Sequence, residues 1–382
     1  MNLSAERLLD DAQMETGLED FGPPSFREGL GVLIDAAETE AGLNEGGRAR
    51  LAAMIRSRLE NRLRLYDWHG RHPEIATQDV PEPVFVIGLW RTGTTILSYL
   101  LAQDPERRSL LRWEAAAPCP PPGLDPPADR ARIDRVAEQI AEQHRLTPEL
   151  AAINIQEPQG PTECVLTLSH EFKSQLFDTS LHIPSFYRWN RSVDQRSAYE
   201  FHKATLQLLQ WRRPPNRWHL KAPAHTLSLH ALAAVYPDAR YVVVHRDPAV
   251  SLASACDFWE LQMRAFTDRV DTSAVGRHWL GIFIDALDDL ARFLDKTPPA
   301  SVVELSYEDL RDPIAAVGRI YDHLGLPLTA TAETRMAGFL AEHRPGRHGT
   351  HEYSLQRYGL DPGQVAAAFG PYVERLSIER RP

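Results

Sequence analysis

The chain of 382 residues is poor in cysteine and has no long apolar run. Its three cysteines, Cys119, Cys164 and Cys256, are far apart and lack the spacing of metal ligands. We therefore expect reduced thiols, and neither a disulfide framework nor a metal site. No segment approaches the roughly 20 apolar residues of a membrane-spanning helix, and the N-terminus lacks the apolar core of a secretory signal. These absences predict a cytoplasmic protein without stable membrane insertion.

The sequence also has no excess of basic residues. The formal net charge is −10 at pH 7, whereas proteins that coat nucleic acids carry broad basic surfaces. No nucleic-acid partner is predicted, and a polyanionic ligand would need arginines placed locally. Hydrophobic residues make up 43% of the chain and charged residues 25%, a balance that is typical of globular proteins with a sizeable core. The oligomeric state is not predicted.

A strand, a glycine-rich loop and a helix are predicted at 84–97. A β-branched and aromatic run comes first, and an apolar segment with helical spacing follows the loop. Gly88 and Gly93 let the backbone turn tightly and approach a ligand, while N–H groups at the start of the helix face an anion. Thr94 and Thr95 add hydroxyl groups in the first turn. The stretch therefore predicts an anion-binding site.

The lysine of nucleotide triphosphatase loops is not present here. Thr94 stands in its place, and Arg91 is the only cation inside the loop. P-loop kinases also need an aspartate at a strand end for magnesium, where this chain has Arg246. Both departures disfavour a P-loop nucleotide kinase or phosphotransferase, which stays an alternative beside a non-catalytic nucleotide-binding protein. A tight turn without any ligand is the simplest alternative for the loop itself.

Hydrophobic periodicity organises the rest of the chain. It predicts a helical N-terminal extension over 1–80 and an α/β domain over 81–382, with a helical insertion at about 115–215 that could form walls of a substrate pocket. The predicted fold class is α/β, with a P-loop-like parallel sheet flanked by helices, because strands and helices alternate. Strands are predicted at 84–87, 218–221, 241–245 and 302–305. Helices are predicted at 95–103, 128–145, 161–180, 195–211, 225–236 and 313–324.

Arg246 follows the strand at 241–245, and Ser254 lies eight residues further on in the next predicted helix. Ligands of open α/β sheets bind beyond the carboxyl ends of the strands, where both Arg91 and Arg246 are placed. An arginine there can donate two N–H groups to phosphate oxygens, and a serine can add a hydroxyl. The pattern predicts two arginines on one polyanion. The alternative is an ion pair between Arg246 and Asp247 at the start of the helix.

Several motifs, taken together, resemble those of the sulfotransferase family. They are Gly88-x-x-Arg91-Thr92-Gly93-Thr94-Thr95, Leu220–His225, Tyr236–Arg240, His245–Pro248 with Ser254, Tyr307–Leu310 and Leu324–Pro327. The resemblance covers about 84–375 and is strongest to bacterial members with a helical N-terminal extension. It implies a metal-free enzyme that uses 3′-phosphoadenosine 5′-phosphosulfate (PAPS). The sulfuryl group would pass in line to a hydroxyl or amine of a small-molecule, lipid or carbohydrate acceptor.

The resemblance also implies donor-binding residues. Those assigned to the 5′-phosphosulfate are Arg91, Thr92, Gly93, Thr94 and Thr95. Arg246 and Ser254 would bind the 3′-phosphate. Arg347 and Gly349 lie in a basic stretch similar to the family's loop that closes over the donor. A solvated surface loop is the alternative for that stretch.

Catalysis of this kind needs cations for the charge that develops on the leaving phosphate oxygen. Arg91 is the first candidate and Lys221 the second. Animal cytosolic members of the family have lysine at the position of Arg91. They also have a histidine two residues after the equivalent of Lys221, whereas His225 follows Lys221 by four. The role of that histidine as a base therefore does not transfer cleanly to His225.

A base must also accept the proton of the acceptor. Glu114 is the main candidate, because it lies about where the tyrosylprotein branch of the family has a catalytic glutamate, and an apolar pocket would raise its pKa. His225 is the second. The remaining alternatives are Glu163 and His170.

Large apolar residues of the predicted insertion are candidates for an acceptor pocket. They are Phe172, Phe177, Phe186, Tyr187, Trp189 and Trp211. Residues of this kind are mostly buried for packing reasons, so a place in the core is the alternative.

Overall fold

The computed structural model describes residues 3–153, 155–343 and 354–376. Within these ranges one parallel sheet contains five strands. They are β1 (Val84–Gly88), β2 (Arg108–Ser109), β3 (Trp218–Lys221), β4 (Arg240–His245) and β5 (Val302–Ser306). Their order in the sheet is β2-β3-β1-β4-β5, and every neighbouring pair is parallel. The predicted α/β fold class with a parallel sheet is confirmed, as are the predicted strands.

Helices lie before, between and after these strands in the sequence. They are α1 (Ala5–Thr16), α2 (Phe26–Glu40), α3 (Glu45–Arg71), α4 (Thr94–Leu101), α5 (Arg112–Ala116), α6 (Pro126–Leu146), α7 (Pro148–Ile153), α8 (Val165–Leu168), α9 (Leu176–Ser180), α10 (Pro184–Ser192), α11 (Arg196–Gln210), α12 (Leu229–Val235), α13 (Pro248–Met263), α14 (Thr272–Leu294), α15 (Pro313–His323), α16 (Ala330–Glu342) and α17 (Pro362–Arg375). In the part of the chain that the structure describes, no helix is both long and apolar enough to cross a bilayer. All three cysteines are buried thiols rather than halves of a disulfide.

The contacts within the chain group it into two compact units. Unit 1 contains Met1–Val80, Leu111–Asn216 and Trp259–Val270, and unit 2 contains Pro81–Leu110, Arg217–Phe258 and Asp271–Pro382. Residues 111–216, which include the predicted insertion, thus share a unit with the N-terminal helices. The domain boundary between 80 and 81 stays a prediction.

Unit 1 is a set of helices around a shared apolar core. On α3 the residues Leu51, Ile55, Leu59 and Leu63 recur every four positions and are fully buried. This spacing puts them on one face of the helix, so the periodicity predicted near the N-terminus is confirmed by α1, α2 and α3. The aromatic candidates for an acceptor pocket are also packed here: Phe172, Phe177 and Phe186 are fully buried in the same core, Trp189 packs against it, and Tyr187 and Trp211 are buried elsewhere in the unit.

The single helix predicted at 161–180 is wrong. α8 ends at Leu168, a 3₁₀ turn follows, Phe172 adopts a left-handed backbone with φ 52°, and α9 begins only at Leu176. The reason is tertiary. Arg62 of α3 forms a buried ion pair with Glu171 and donates a hydrogen bond of 3.1 Å to the main-chain oxygen of His170. These contacts come from more than 100 positions away, so local periodicity does not encode them.

Unit 2 contains the sheet, with an apolar core on one face. Val86 of β1 and Val244 of β4 pack there with residues of α4, α15 and α16. The predicted helix at 225–236 begins later than expected, because Pro223–Leu227 form a 3₁₀ turn and Ser228, with φ −149° and ψ 29°, precedes α12. The short strand β2 and the long helix α14 were not predicted from the sequence.

Candidate functional site

The loop after β1 depends on two glycines. Gly88 has φ 137°, and a β-carbon at this position would lie 2.5 Å from the main-chain oxygen of Val244 on the paired strand β4. Gly93 has φ 89° and is the residue before the first turn of α4; a β-carbon there would lie 2.5 Å from Leu310 Cδ1. Both positions therefore favour glycine for backbone conformation, and at Gly88 the close main-chain oxygen also leaves no space for a side chain. The chain turns directly from the carboxyl end of β1 into the start of α4.

Hydroxyl groups of the loop have different partners. Thr92 is fully buried, and its Oγ1 donates a hydrogen bond of 2.8 Å to the main-chain oxygen of Leu89. A hydroxyl has one proton to donate, so Thr92 would offer an anion its main-chain N–H. Thr95 Oγ1 accepts a hydrogen bond of 3.4 Å from Nζ of Lys221, which is buried at the end of β3. Lys221 is thereby held beside the first turn of α4.

Arg91 lies at the turn of the loop in an uncommon backbone conformation. Its φ is 65°, a left-handed value that costs a non-glycine residue about 1 kcal/mol. Its Nε donates a hydrogen bond of 3.2 Å to Oγ of Ser254, and its guanidinium carbon lies 5.3 Å from the centroid of the Phe258 ring. Ser254 and Phe258 are four residues apart on α13 and so share one face of that helix. α13 thus contacts Arg91 through a hydroxyl and an aromatic ring.

Arg246 comes directly after β4. Its Nη1 donates a hydrogen bond of 2.6 Å to the main-chain oxygen of Arg91, and its guanidinium carbon lies 4.2 Å from the ring centroid of Tyr307. Strand register explains the second contact, because His245 pairs with Ser306 and the next residue of each strand is Arg246 or Tyr307. Arg246 is therefore supported by the segments that follow β1 and β5.

The turn that carries Tyr307 is itself fixed by hydrogen bonds. Asp309 Oδ2 accepts a hydrogen bond of 2.7 Å from the Ser306 N–H, and Ser306 Oγ accepts one of 3.2 Å from the Asp309 N–H. Arg319 of α15 donates a hydrogen bond of 2.6 Å to the other carboxylate oxygen of Asp309. Although burial opposes it, these hydrogen bonds hold the pKa of Asp309 below its usual value. The charged form that the capping arrangement needs is thereby favoured.

The candidate bases have different environments. In unit 2, His225 is fully buried, and its ring meets that of Phe85 edge-on with 5.2 Å between centroids. In unit 1, Glu114 is fully buried on α5, and its Oε1 lies 3.4 Å from Nη1 of Arg213. The Arg213 side chain is exposed, whereas that of Glu114 is fully buried. Glu163 is half-buried in unit 1.

His170 is held as a neutral imidazole. Burial lowers its pKa to about 3. Its Nδ1 lies 3.0 Å from the main-chain oxygen of Thr167, and its Nε2 lies 3.1 Å from Nδ2 of Asn61. The carbonyl requires a proton on Nδ1, so Nε2 is the acceptor for the Asn61 amide. Both ring nitrogens are engaged in the core of unit 1.

Two comparisons with known proteins decide the family. A profile described as the sulfotransferase family matches residues 83–330. The chain belongs to the sulfotransferase family. It is similar in structure to the sulfotransferase STF1 from Mycobacterium tuberculosis, with a TM-score of 0.86 and 30% identity over 97% of this chain and 99% of that chain. For the sulfotransferase STF9 from Mycobacterium avium the TM-score is 0.87, with 31% identity over 98% and 97% of the two chains.

A relative with a more specific name is also similar in sequence. The omega-hydroxy-beta-dihydromenaquinone-9 sulfotransferase Stf3 of Mycobacterium bovis is 24% identical over 319 residues, which are 78% of this chain and 76% of that protein. The predicted family and enzyme class are thus confirmed: this sulfotransferase transfers a sulfuryl group. In residues 3–153, 155–343 and 354–376, no group of three or more His, Cys, Asp or Glu side chains is arranged to hold a metal ion.

The structure of this sulfotransferase joins some of the predicted site residues by direct contacts. In unit 2, Arg246 contacts Arg91, Arg91 contacts Ser254, and Lys221 contacts Thr95. Arg347 and Gly349 lie outside the described residues. The roles of all these residues in binding and catalysis stay predictions.

Sequence reasoning missed two aromatic residues of the sulfotransferase that contact the arginines. Phe258 was open to prediction, because it follows Ser254 by four positions in a predicted helix, and that spacing puts both on one face. Tyr307 was noted only as part of a family motif. Its place beside Arg246 follows from the register of β4 and β5, which no local pattern states.

Proposed function

We propose that this sulfotransferase takes its sulfuryl group from PAPS and transfers it to a hydroxyl group of an apolar, lipid-like acceptor. One observation carries the choice of donor: the hydrogen bond from Arg246 Nη1 to the main-chain oxygen of Arg91 brings two arginines together at adjacent strand ends. PAPS carries anionic groups at both its 3′ and 5′ positions. It therefore needs two cationic subsites close together, which a nucleotide without a 3′-phosphate does not.

The residues present fit such a donor. The loop Arg91–Thr95 leads into α4 through Gly93, whose φ of 89° favours glycine, and the main-chain N–H groups at the start of that helix can face a 5′-phosphosulfate. Arg246 and the hydroxyl of Ser254 are the proposed partners of the 3′-phosphate. A magnesium-dependent kinase is the less favoured alternative, because Thr94 and Arg246 stand where such enzymes have a lysine and an aspartate.

The proposed mechanism gives each side chain one task. Bound PAPS would supply the sulfuryl group, which would pass from the 5′-phosphate oxygen to the acceptor oxygen. Arg91 stabilises the charge on the leaving oxygen, and Lys221, held by Thr95, is the second cation. Glu114 is the proposed base for the acceptor proton, with His225 as the second candidate.

The proposed acceptor class follows from a relative. Stf3 is named for an omega-hydroxy-dihydromenaquinone, which is a lipid with a hydroxyl group at the end of an apolar chain. We extend this class to the present enzyme. The check is a sulfation assay with long-chain primary alcohols, phenols and hexoses as acceptors. Faster turnover of a hexose than of the alcohol would overturn the lipid-like acceptor and leave the donor unaffected.

The donor is tested by calorimetry without magnesium, with 3′-phosphoadenosine 5′-phosphate (PAP) as the ligand and ATP as the comparison. We expect a dissociation constant on the order of micromolar for PAP and much weaker binding of ATP. Arg246→Ala should weaken PAP binding about 100-fold, since hydrogen bonds to charged groups contribute roughly 1.5–3 kcal/mol.

Arg240→Ala is the matched control. Arg240→Ala removes the same charge, but Arg240 is the first residue of β4, at the end of the strand away from Arg246, and pairs with Glu82. PAP affinity should stay within about twofold of the wild type in this variant. A wild type that does not bind PAP, or that prefers magnesium-ATP, overturns the proposed donor.

A further inference from the structure

We propose that Phe258 is a positioning residue for Arg91, and that its ring holds the guanidinium group in the orientation that sulfuryl transfer uses. The inference rests on the function proposed above. It starts from the 5.3 Å between the guanidinium carbon of Arg91 and the centroid of the Phe258 ring. Arginine is attracted to the face of an aromatic ring, and the contact strengthens where water is displaced.

The main chain of Arg91 is held in place from two sides. Arg246 donates a hydrogen bond of 2.6 Å to its carbonyl oxygen. The preceding residue, Trp90, is buried, and its ring centroid lies 5.5 Å from that of Trp279 and 5.7 Å from that of Phe283 on α14. These contacts stabilise the left-handed backbone of Arg91. The long side chain still needs contacts of its own, because arginine has about 2 kcal/mol of rotamer entropy to lose.

α13 supplies two such contacts from one face. Ser254 is 2% exposed and accepts a hydrogen bond of 3.2 Å from Arg91 Nε, while Phe258, one turn later, is partly exposed and lies against the guanidinium group. The hydrogen bond to Ser254 positions Nε but does not by itself fix the plane of the guanidinium group. A second contact to the face of the group fixes that plane. The aromatic ring of Phe258 therefore adds orientation that Ser254 alone does not provide.

Loss of the orientation of Arg91 should affect the chemical step more than the binding of the donor. Arg91 is proposed to stabilise charge that appears only as the bond from sulfur to the leaving oxygen breaks. A group that acts on developing charge changes kcat when it is misplaced, whereas uniform binding is little affected. Loss of a cation–π contact of ordinary strength corresponds to about 3- to 30-fold. Removal of the Phe258 ring should accordingly lower kcat.

The experiment compares Phe258→Leu and Phe258→Tyr with the wild type, measuring kcat, the KM of the acceptor and the dissociation constant of PAP. Phe258→Leu keeps apolar volume and removes the ring, so kcat should fall about tenfold while PAP affinity stays within about twofold. Phe258→Tyr keeps the ring and should retain kcat. A leucine variant with unchanged kcat overturns the inference, as does a tyrosine variant that loses as much as leucine.

The decisive arm is a double-mutant cycle with Arg91→Ala. If Phe258 acts through Arg91, then Phe258→Leu causes no further fall in kcat once Arg91 is alanine. An equal tenfold fall in both backgrounds overturns the inference and assigns the ring another role. A rise confined to the acceptor KM also overturns it, and would mark Phe258 as a contact of the acceptor.

Tyr307→Leu is the matched control, because it removes an aromatic ring from the other arginine. Arg246 is proposed to bind the 3′-phosphate in the ground state as well as in the transition state, so this variant should weaken PAP binding, whereas Phe258→Leu should leave PAP affinity within about twofold. The proposed donor and this inference fail in different ways. A wild type that does not bind PAP overturns both, whereas a PAP-binding wild type whose kcat does not respond to Phe258→Leu overturns only the role of Phe258.

Thermal melting of each variant, with Phe258→Tyr as the folded reference, separates loss of fold from loss of rate.

Discussion

Arg246 donates a hydrogen bond of 2.6 Å from Nη1 to the main-chain oxygen of Arg91. The bond joins the residue after β4 to the loop after β1, and the two residues are 155 positions apart in the sequence. The same guanidinium group lies over the ring of Tyr307, which follows β5. Three parallel strands thus contribute to the support of one loop, and the two arginines proposed to bind the donor are structurally coupled.

This coupling predicts that the positive charge of Arg246 is not by itself sufficient for full PAP affinity. Arg246→Lys keeps the charge but loses the planar fork that hydrogen-bonds Arg91 and stacks on Tyr307. We expect PAP affinity to fall about tenfold, measured by calorimetry. Arg240→Lys makes the same exchange at the far end of β4 and should leave PAP affinity unchanged. Equal PAP affinity in Arg246→Lys and the wild type would contradict the prediction.

An added methyl group should destabilise the protein far more at Gly88, in the loop, than at Gly281, on the surface of a helix. Gly88→Ala places a β-carbon 2.5 Å from the oxygen of Val244 at φ 137°, so we expect a loss of about 2–3 kcal/mol in the free energy of unfolding. Gly281 is exposed within α14, and a β-carbon there meets nothing within 4 Å. Gly281→Ala should stabilise the protein by about 0.5–1 kcal/mol. Urea denaturation of the two variants measures both; a Gly88→Ala protein as stable as the wild type would be inconsistent with the close approach of β1 and β4.

The buried ion pair of unit 1 should be important for stability. Arg62→Ala leaves the carboxylate of Glu171 buried without its ion-pair partner, which costs about 3–5 kcal/mol. Arg130 forms an ion pair with Asp134 on the surface of α6, so Arg130→Ala should change stability little. Chemical denaturation at pH 7 compares the two variants. Equal effects would show that burial of the Arg62 pair carries no special energetic weight.

Buried histidines predict a loss of stability in mild acid. Burial lowers the pKa of His202 to about 3, against an ordinary value of 6.5. Between these pH values the unfolded chain binds a proton at His202 that the folded chain does not. The free energy of unfolding therefore decreases as the pH falls from about 6.5 toward 3. Above pH 6.5 the titration of His202 does not affect it.

The corresponding variant is His202→Leu, with urea denaturation at pH 7, 6 and 5. Its stability should fall less steeply with decreasing pH than that of the wild type, by up to about 1.4 kcal/mol per pH unit for the missing group. The carboxylates titrate in both proteins, so the difference between the two slopes reports the histidine. Identical slopes would contradict a neutral buried His202.

Local patterns were sufficient for much of the fold and for the class of chemistry. The strand at 84–87 and the helix after it are formed by β-branched residues, glycines and apolar spacing that act on their immediate neighbours, and β1 and α4 confirm them. The helix predicted at 313–324 is confirmed as α15, and its ends carry local signals of the same kind, with Pro313 at its start and Gly325 just past its end. The motifs around Arg91 and Arg246 identified the sulfotransferase family because each motif is short and continuous.

Other features depended on residues that are distant in the sequence. The break after α8 could not be predicted from the pattern at 161–180, because the contacts made there by Arg62 of α3 come from a distant part of the sequence. The contact between Arg246 and Tyr307 required the register of β4 and β5, which is a property of the assembled sheet.

The local sequence was enough to predict that a glycine-rich loop presents Arg91 at the end of β1, since backbone freedom and charge are properties of the residues themselves. How Arg91 is held depends on the folded chain. Its partners Arg246 and Ser254 are 155 and 163 positions away along the chain. They reach it because β4 pairs beside β1 and α13 continues from the end of β4. Orientation of a side chain is set by the groups that pack around it, and those groups meet only once the sheet has formed.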